Sequence, residues 1–482
     1  MTASGKTPNA DPADLDGLRD ILSDADPEGR LEEIGMSRVE IGPDAVQLIP
    51  EVVSDFIGDV REARILLVVD STYKQRDGQD HADLVEGLLG EHFGVERVVL
   101  GADSSEELHA DDETLEEAEA AVAGADCVVV AGSGTISDVC KVATARAGGM
   151  PLVVVQTAAS VNGYADDVSV LLKNGVKRTT PSRWPDALIS DLRTLVDAPH
   201  AMNASGYGDA IAMYTGPADW CLASLMGLDD SYQPGAIQMV LDYGPALIGD
   251  AAAIRQRELE AMARLVRVLT LGGMAAGTTG TTACLSGTEH MVSHLLDMNA
   301  GKRNLQIGFH GAQVGVASVV AAAAWETLFE ELDPSKVDVD ACFPEPASME
   351  PVVRGAFEEL DPGGDIGDEC WSDYSEKLAR WTDHRENFES FLQEWSNHRE
   401  RLAEMVVSPE RLAGALSEVD GPARFSELDP PVSPDTARWA IRNCLFMRNR
   451  FTIADLFFFL GWWDEAFVER LLDRARTAGG GL

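Results

Sequence analysis

The chain has 482 residues, 45% of them hydrophobic, with 38 basic against 81 acidic side chains and a formal net charge of −43. That length needs two or three domains with sizeable cores, and the composition excludes collagen, coiled coil and a largely disordered chain. The charge repels nucleic acid and anionic membranes, and it suits high intracellular salt, where the Debye length falls to about 3 Å at 1 M.

In chain order, residues 1–36 read as an acidic, flexible extension without the apolar core of a signal peptide, which predicts a cytoplasmic protein. Residues 37–198 alternate strand and helix signals. Short runs rich in branched residues predict buried strands at 64–70, 97–100, 126–131, 151–156 and 187–191. Helical stretches at 115–123 and 136–147 separate them, so the first domain is an α/β, Rossmann-like parallel-sheet domain. Residues 199–475 read as an all-α domain, with helices over 201–226, 251–271, 281–298, 371–405 and 446–472. Residues 361–368, rich in Gly and Asp, read as a surface loop. The longest apolar run, 314–324, is too short for a bilayer, so no membrane insertion is expected. The apolar segment 456–463 suits either a core helix or the contact of a homodimer. The seven cysteines are scattered, odd in number and without a Cys-x-x-Cys pair, which excludes a disulfide framework and a thiolate metal site.

Three features carry chemistry. Gly132-Ser133-Gly134-Thr135 follows a strand and opens a helix, with Asp138 in the first turn. Such a turn either cradles a phosphate or simply joins strand to helix. Residues 156–165, including Thr157, Ser160 and Asn162, follow the next strand, where such folds hold ligands; an ordinary loop reads as well. Asp209, His290 and His310 are one carboxylate and two imidazoles, a donor set for a borderline divalent cation such as zinc. His294 stands four residues after His290, on the same helix face. Two satisfied histidines and a solvated acid would leave the same trace. Together with the glycine turn, the set suggests hydride transfer at a polarised alcohol or carbonyl.

Gly132-Ser133-Gly134-Thr135-Ile136-Ser137-Asp138 resembles the glycine turn of the iron-containing alcohol dehydrogenase and dehydroquinate synthase superfamily. Within it, Gly206-Tyr207-Gly208-Asp209, Ser286 to His294 and His310-Gly311-Ala312-Gln313 are similar to the sn-glycerol-1-phosphate dehydrogenase family, and Arg448-Asn449-Arg450-Phe451-Thr452 resembles its bacterial long-form branch. The resemblance implies a metal held by Asp209, His290 and His310, with zinc, nickel or iron as the ion. It implies NAD(H) or NADP(H) on Gly132–Thr135, with Asp138, Thr157 and Ser160 also at the cofactor. Asp70 would meet the adenosine ribose, where an acid favours NAD. His294 would handle a proton. The implied reaction interconverts dihydroxyacetone phosphate and sn-glycerol 1-phosphate for phospholipid biosynthesis, with Lys177, Arg178, Lys302 and Arg303 as candidate cations for the substrate phosphate. One position departs from the pattern: Asn162 stands where many members carry Asp, and Asn cannot take a proton. Alternative readings are an unphosphorylated polyol dehydrogenase, a dehydroquinate-synthase-like cyclase, and a binding protein without turnover.

Overall fold

Runs of branched apolar residues make the strands of the first unit. The computed structural model describes residues 10–58, 62–102, 108–173 and 176–482. The described residues fall into two compact units, one within Gly5–Ala210 plus Gly235–Gly280, the other within Ile211–Pro234 plus Thr281–Leu482.

The sheet unit contains β1 (Arg38–Gly42), β2 (Arg64–Asp70), β3 (Gln75–Arg76), β4 (Gln79–Asp80), β5 (Gly94–Leu100), β6 (Cys127–Gly132), β7 (Leu152–Gln156), β8 (Val168–Lys173), β9 (Val176–Pro181) and β10 (Ala187–Asp191). Six form a sheet in the order β1-β10-β7-β6-β2-β5, and every pairing in it is parallel. Consecutive residues of β2, β6 and β7 are buried, so both faces of these central strands are covered. The chain leaves β2 for β5 on one side and returns to β6 on the other. Such a reversal opens a crevice at the carboxyl ends of the two strands, where open α/β sheets bind ligands. Asp70 ends β2 and Gly132 ends β6. This is the expected α/β domain.

The helical unit holds no named strand among its described residues. Its centre is the helix pair Thr288–Lys302 and His310–Glu331. The second is long and apolar enough to cross a membrane by length and composition, but 89% of its apolar window is buried in the protein. Around the pair lie shorter helices, among them Asp365–Asp383, Arg385–Gln393, Trp395–Met405, Ile453–Phe459 and Glu465–Thr477.

Several boundaries differ from the sequence reading. Residues 10–36 are not a loose extension: Leu15–Ala25 is a helix that buries Leu15, Leu18 and Leu22 and is capped by Asp14. The helical domain does not begin at 199, since the helix His200–Ala210 and the segment Gly235–Gly280 belong to the sheet unit. The stretch 201–226 is broken by Ile211–Tyr214 and restarts at Gly216 and Pro217, and 251–271 breaks at Arg257, whose φ is 61°. Residues 361–368 are not all loop, because a helix starts at Asp365 behind the left-handed Gly364. Finally, the apolar segment 456–463 is used inside its own unit. Trp381 stacks on Phe459 at 4.5 Å and on Phe451 at 5.5 Å, and Leu456, Phe457 and Phe459 are buried. Core packing therefore accounts for a segment that the sequence also offered to a dimer contact.

Candidate functional site

In the sheet unit the candidate residues gather around the turn after β6 and the loop after β7. The helix Gly134–Arg146 starts at the turn, with Ser133 at its N-cap making no side-chain cap bond. Glycine is needed at Gly132, where a Cβ would lie 2.6 Å from Ile136 Cγ2. The first amides of this helix are positioned to meet an anion. Thr157 N donates to Gly132 O at 3.1 Å, so the turn and the next loop are fastened together. Asp70 is engaged by Lys74, whose Nζ donates to Oδ1 at 2.6 Å, while Thr72 N donates to the same oxygen. The expected bare acid at the ribose is thus an acid–lysine pair, which weakens its repulsion of a 2′-phosphate. Asp138 Oδ2 accepts from Val170 N at 3.1 Å, which ties the helix after the turn to β8.

The loop after β7 is shaped by the helix His200–Ala210. Asn203 Oδ1 accepts from Ala159 N at 3.1 Å, and Asp209 Oδ2 accepts from Asn162 N at 3.1 Å. Between them on that helix face, a Cβ on Gly206 would lie 1.8 Å from Ala159 O. Only glycine permits this approach, so Gly206→Ala should displace the loop and cost at least about 1–3 kcal/mol in urea unfolding. Ser160 Oγ and Tyr164 Oη lie 3.2 Å apart, and Tyr164 Oη donates to Ala158 O. Burial pushes the Tyr164 phenol well up from its ordinary value, which unsuits it to proton transfer.

A buried ion pair braces the same loop. Lys141 is 0% exposed, and its Nζ donates to Gly163 O at 3.1 Å, to Val168 O at 2.5 Å and to the carboxylate of Asp166. Neither residue was singled out in the sequence, although Lys141 follows Asp138 by three residues on the helix that starts at the turn.

In the helical unit, His290, His294 and His310 come together. The ring centroids of His290 and His310 are 5.3 Å apart, and those of His294 and His310 are 5.6 Å apart. Hydrogen bonds fix two of the tautomers. Glu289 Oε1 accepts from His290 Nδ1 at 3.0 Å. Ser293 Oγ gives its single proton to Gln313 Oε1 at 2.7 Å, so at 3.0 Å it accepts from His310 Nδ1. Gln313 Nε2 in turn donates to Asp297 Oδ1 at 3.0 Å. With both Nδ1 atoms protonated, each ring presents the Nε2 lone pair, the usual outer-shell arrangement of metal-binding histidines. Sequence reasoning gave no role to Glu289, Ser293, Asp297 or Gln313. Their signal was the four-residue spacing of Ser293 and Asp297 on the histidine helix, and the three-residue spacing of His310 and Gln313.

Two more carboxylate contacts frame the start of the histidine helix. Glu289 Oε2 accepts from Thr215 Oγ1, and its Oε1 from Gly287 N. Asp219 Oδ2 accepts from Thr288 N and Oγ1, and its Oδ1 from Ile453 N. Burial, then the charge of Glu289, raise the Asp219 carboxyl to about 7. A raised folded pKa means that protonation favours the folded state. This contribution is complete below the ordinary value of 3.8 and is lost as the pH rises through about 7. Urea unfolding across that window should show stability falling by up to about 1.4 kcal/mol per pH unit from this group, and Asp219→Asn should remove that part of the slope.

The candidate cations for a substrate phosphate are less available. Lys302 Nζ lies 3.4 Å from Asp361, and Arg303 lies 3.8 Å from Glu359. The side chains of Lys177 and Arg178 lie outside the described residues.

The chain is similar to known proteins. Residues 40–199 match the iron-containing alcohol dehydrogenase family. A glycerol-1-phosphate dehydrogenase [NAD(P)+] of Bacillus licheniformis is 26% identical over 418 residues, covering 86% of this chain and 87% of the relative. That of Pyrococcus furiosus is 31% identical over 258 residues, covering 54% of this chain and 70% of the relative. Among solved structures, glycerol dehydrogenase from Schizosaccharomyces pombe superposes with a TM-score of 0.55 at 13% identity, covering 92% of this chain and 88% of that one, a likeness of fold. The sequence relatives and the family match place the chain in the glycerol-1-phosphate dehydrogenase family of the iron-containing alcohol dehydrogenases.

Proposed function

We propose that the protein is a metal-dependent NAD(P)H oxidoreductase that interconverts dihydroxyacetone phosphate and sn-glycerol 1-phosphate. The observation that carries this reading is the pair of tautomer-locked imidazoles, His290 and His310, in a chain whose relatives bear that activity's name. Asp209, His290 and His310 would each give one ligand atom to a divalent metal. One carboxylate oxygen and two imidazole nitrogens suit zinc and leave a coordination position for substrate. The nicotinamide would lie along the Gly132–Thr135 turn, Thr157 and Ser160. When bound, the metal polarises the substrate carbonyl and the reduced nicotinamide supplies the hydride.

The chain's own residues do the remaining work. Glu289 and Ser293 hold the imidazoles in the ligating tautomer. Asn203, Gly206 and Asp209 fix the loop that carries Asn162. Asn162 can orient a hydroxyl but cannot exchange a proton, and the Tyr164 hydroxyl is committed to Ala158 O. That leaves proton transfer at the alcohol oxygen to His294, beside His310, as the family resemblance implies, or to a bound water. The lysine beside Asp70 supports use of both NAD(H) and NADP(H).

Seven buried cysteines favour a reducing compartment, the cytoplasm, where the product would enter phospholipid synthesis. The charge of −43 favours activity at molar salt. Oxidation run in reverse tests the reading. With NAD+ or NADP+, sn-glycerol 1-phosphate should be oxidised and sn-glycerol 3-phosphate should not; the opposite preference, or equal rates, would refute it.

A further inference from the structure

The segment after Phe446 carries two arginines that the electrostatics of the rest of the chain make conspicuous. Among the described residues, most half-buried guanidiniums have a carboxylate within 4 Å; Arg38 alone reaches Glu40, Glu51 and Asp55. Arg448 and Arg450 are half-buried, and neither has a carboxylate within 4 Å among the described residues. Arg450 is held by neutral oxygens: its guanidinium donates to Ser286 O, and Nη2 donates to Thr282 Oγ1 at 2.8 Å. Burial and the charge of Arg448 pull its pKa down to about 10. Two like charges two residues apart, with no carboxylate within 4 Å of either among the described residues and only the more distant Asp229 and Glu289 acting on Arg450, are unfavourable in a chain with 81 acids to choose from.

The segment is also braced. Arg380, on the helix Asp365–Asp383, donates to Asn449 O and, at 3.4 Å, to Leu228 O, and Asn449 Nδ2 donates to Glu376 Oε2 at 3.2 Å. The helix of the 361–401 segment thus grips Asn449 and fixes the backbone between the two arginines. Through Ser286, Arg450 is joined to the turn that leads into the histidine helix, four residues before His290. A fixed, partly desolvated guanidinium such as that of Arg450, with the half-buried Arg448 two residues away, is suited to a phosphate, whose oxygens take bidentate N–H donors.

We infer that Arg448 and Arg450 form the binding site for the phosphate monoester of the substrate, with the helix Asp365–Asp383 as the brace that holds them. The inference rests on the proposed reaction for its substrate, and on inorganic phosphate for a test independent of turnover. Phosphate binding should be measured by calorimetry, in the salt that keeps the protein folded, for the wild type, Arg448→Met and Arg448→Met/Arg450→Met. Reduction of dihydroxyacetone phosphate and of dihydroxyacetone should be compared in the same proteins. The double variant should lose phosphate binding and about 100-fold in kcat/KM for the phosphate ester, the scale of one or two charge-assisted hydrogen bonds. For Arg448→Met, kcat/KM for dihydroxyacetone should stay within about twofold, because that ketone makes no such bond and Arg448 holds no part of the histidine helix. Equal losses on both ketones would show that the arginines only hold the fold, and unchanged phosphate binding would also overturn the inference. If the double variant does not fold, Arg448→Met carries the same comparison, since Arg448 makes no hydrogen bond among the described residues. Phosphate bound at these arginines in a protein that does not reduce the ester would uphold the site and sink the reaction instead.

Discussion

Replacing His310 with alanine should strip the protein of its metal and lower kcat by about 10³-fold or more, the several kcal/mol that a Lewis acid contributes to a developing alkoxide. The effect should be graded outward from the ligands. Ser293→Ala keeps both imidazoles but removes the acceptor of His310 Nδ1. It should weaken metal affinity by about 10- to 100-fold, the usual effect of losing an orienting partner. Metal content after dialysis, and competition with a chromophoric chelator, separate the two cases. A Ser293→Ala protein with unchanged affinity would show that the chain His310–Ser293–Gln313–Asp297 is packing alone.

The largest loss of stability is expected from Lys141→Met. Lys141 is wholly buried against Asp166, and its removal leaves a desolvated carboxylate facing the vacated space. Breaking such a pair costs about 3–5 kcal/mol, whereas replacing both partners with neutral groups of similar volume costs far less. Urea unfolding should show that loss for Lys141→Met and recovery of most of it in Lys141→Met/Asp166→Asn. Because Lys141 also holds Gly163 O, next to Asn162, the single variant should raise the KM for substrate along with the loss of stability. Equal stability of the single and double variants would mean that the carboxylate finds water or another partner.

The framework was legible where one local pattern decided the structure. β2, β6 and β7 are short runs rich in branched residues, the pattern of strands buried on both faces. The glycine turn was legible because a strand ran straight into it. What was missed depended on partners far away in sequence. The helix Leu15–Ala25 looks like an acidic tail because only Leu15, Leu18 and Leu22 mark its buried face. Breaks at Arg257 and Gly461 need a positive φ that helix propensity does not report.

The site divides in the same way. Histidine and aspartate can be picked out by type, so Asp209, His290 and His310 were already candidates in the sequence. The groups that orient them, Glu289, Ser293 and Gln313, are common polar residues whose roles emerge only from distances. Lys141 and Asp166 are 25 positions apart, and no spacing rule joins them. The phosphate cations were sought among Lys302 and Arg303, which the structure pairs with Asp361 and Glu359. A bare arginine is recognisable only once its neighbours are known.

The most direct test of the central claim uses the wild-type protein at molar potassium chloride. It should be freed of metal by a chelator, reloaded with zinc, and mixed with dihydroxyacetone phosphate and NADH or NADPH. The account predicts that nicotinamide oxidation requires the phosphate ester, stops when the metal is removed and returns when it is restored. Oxidation that persists in fully metal-free protein, or that never occurs in folded, metal-loaded protein, would contradict it.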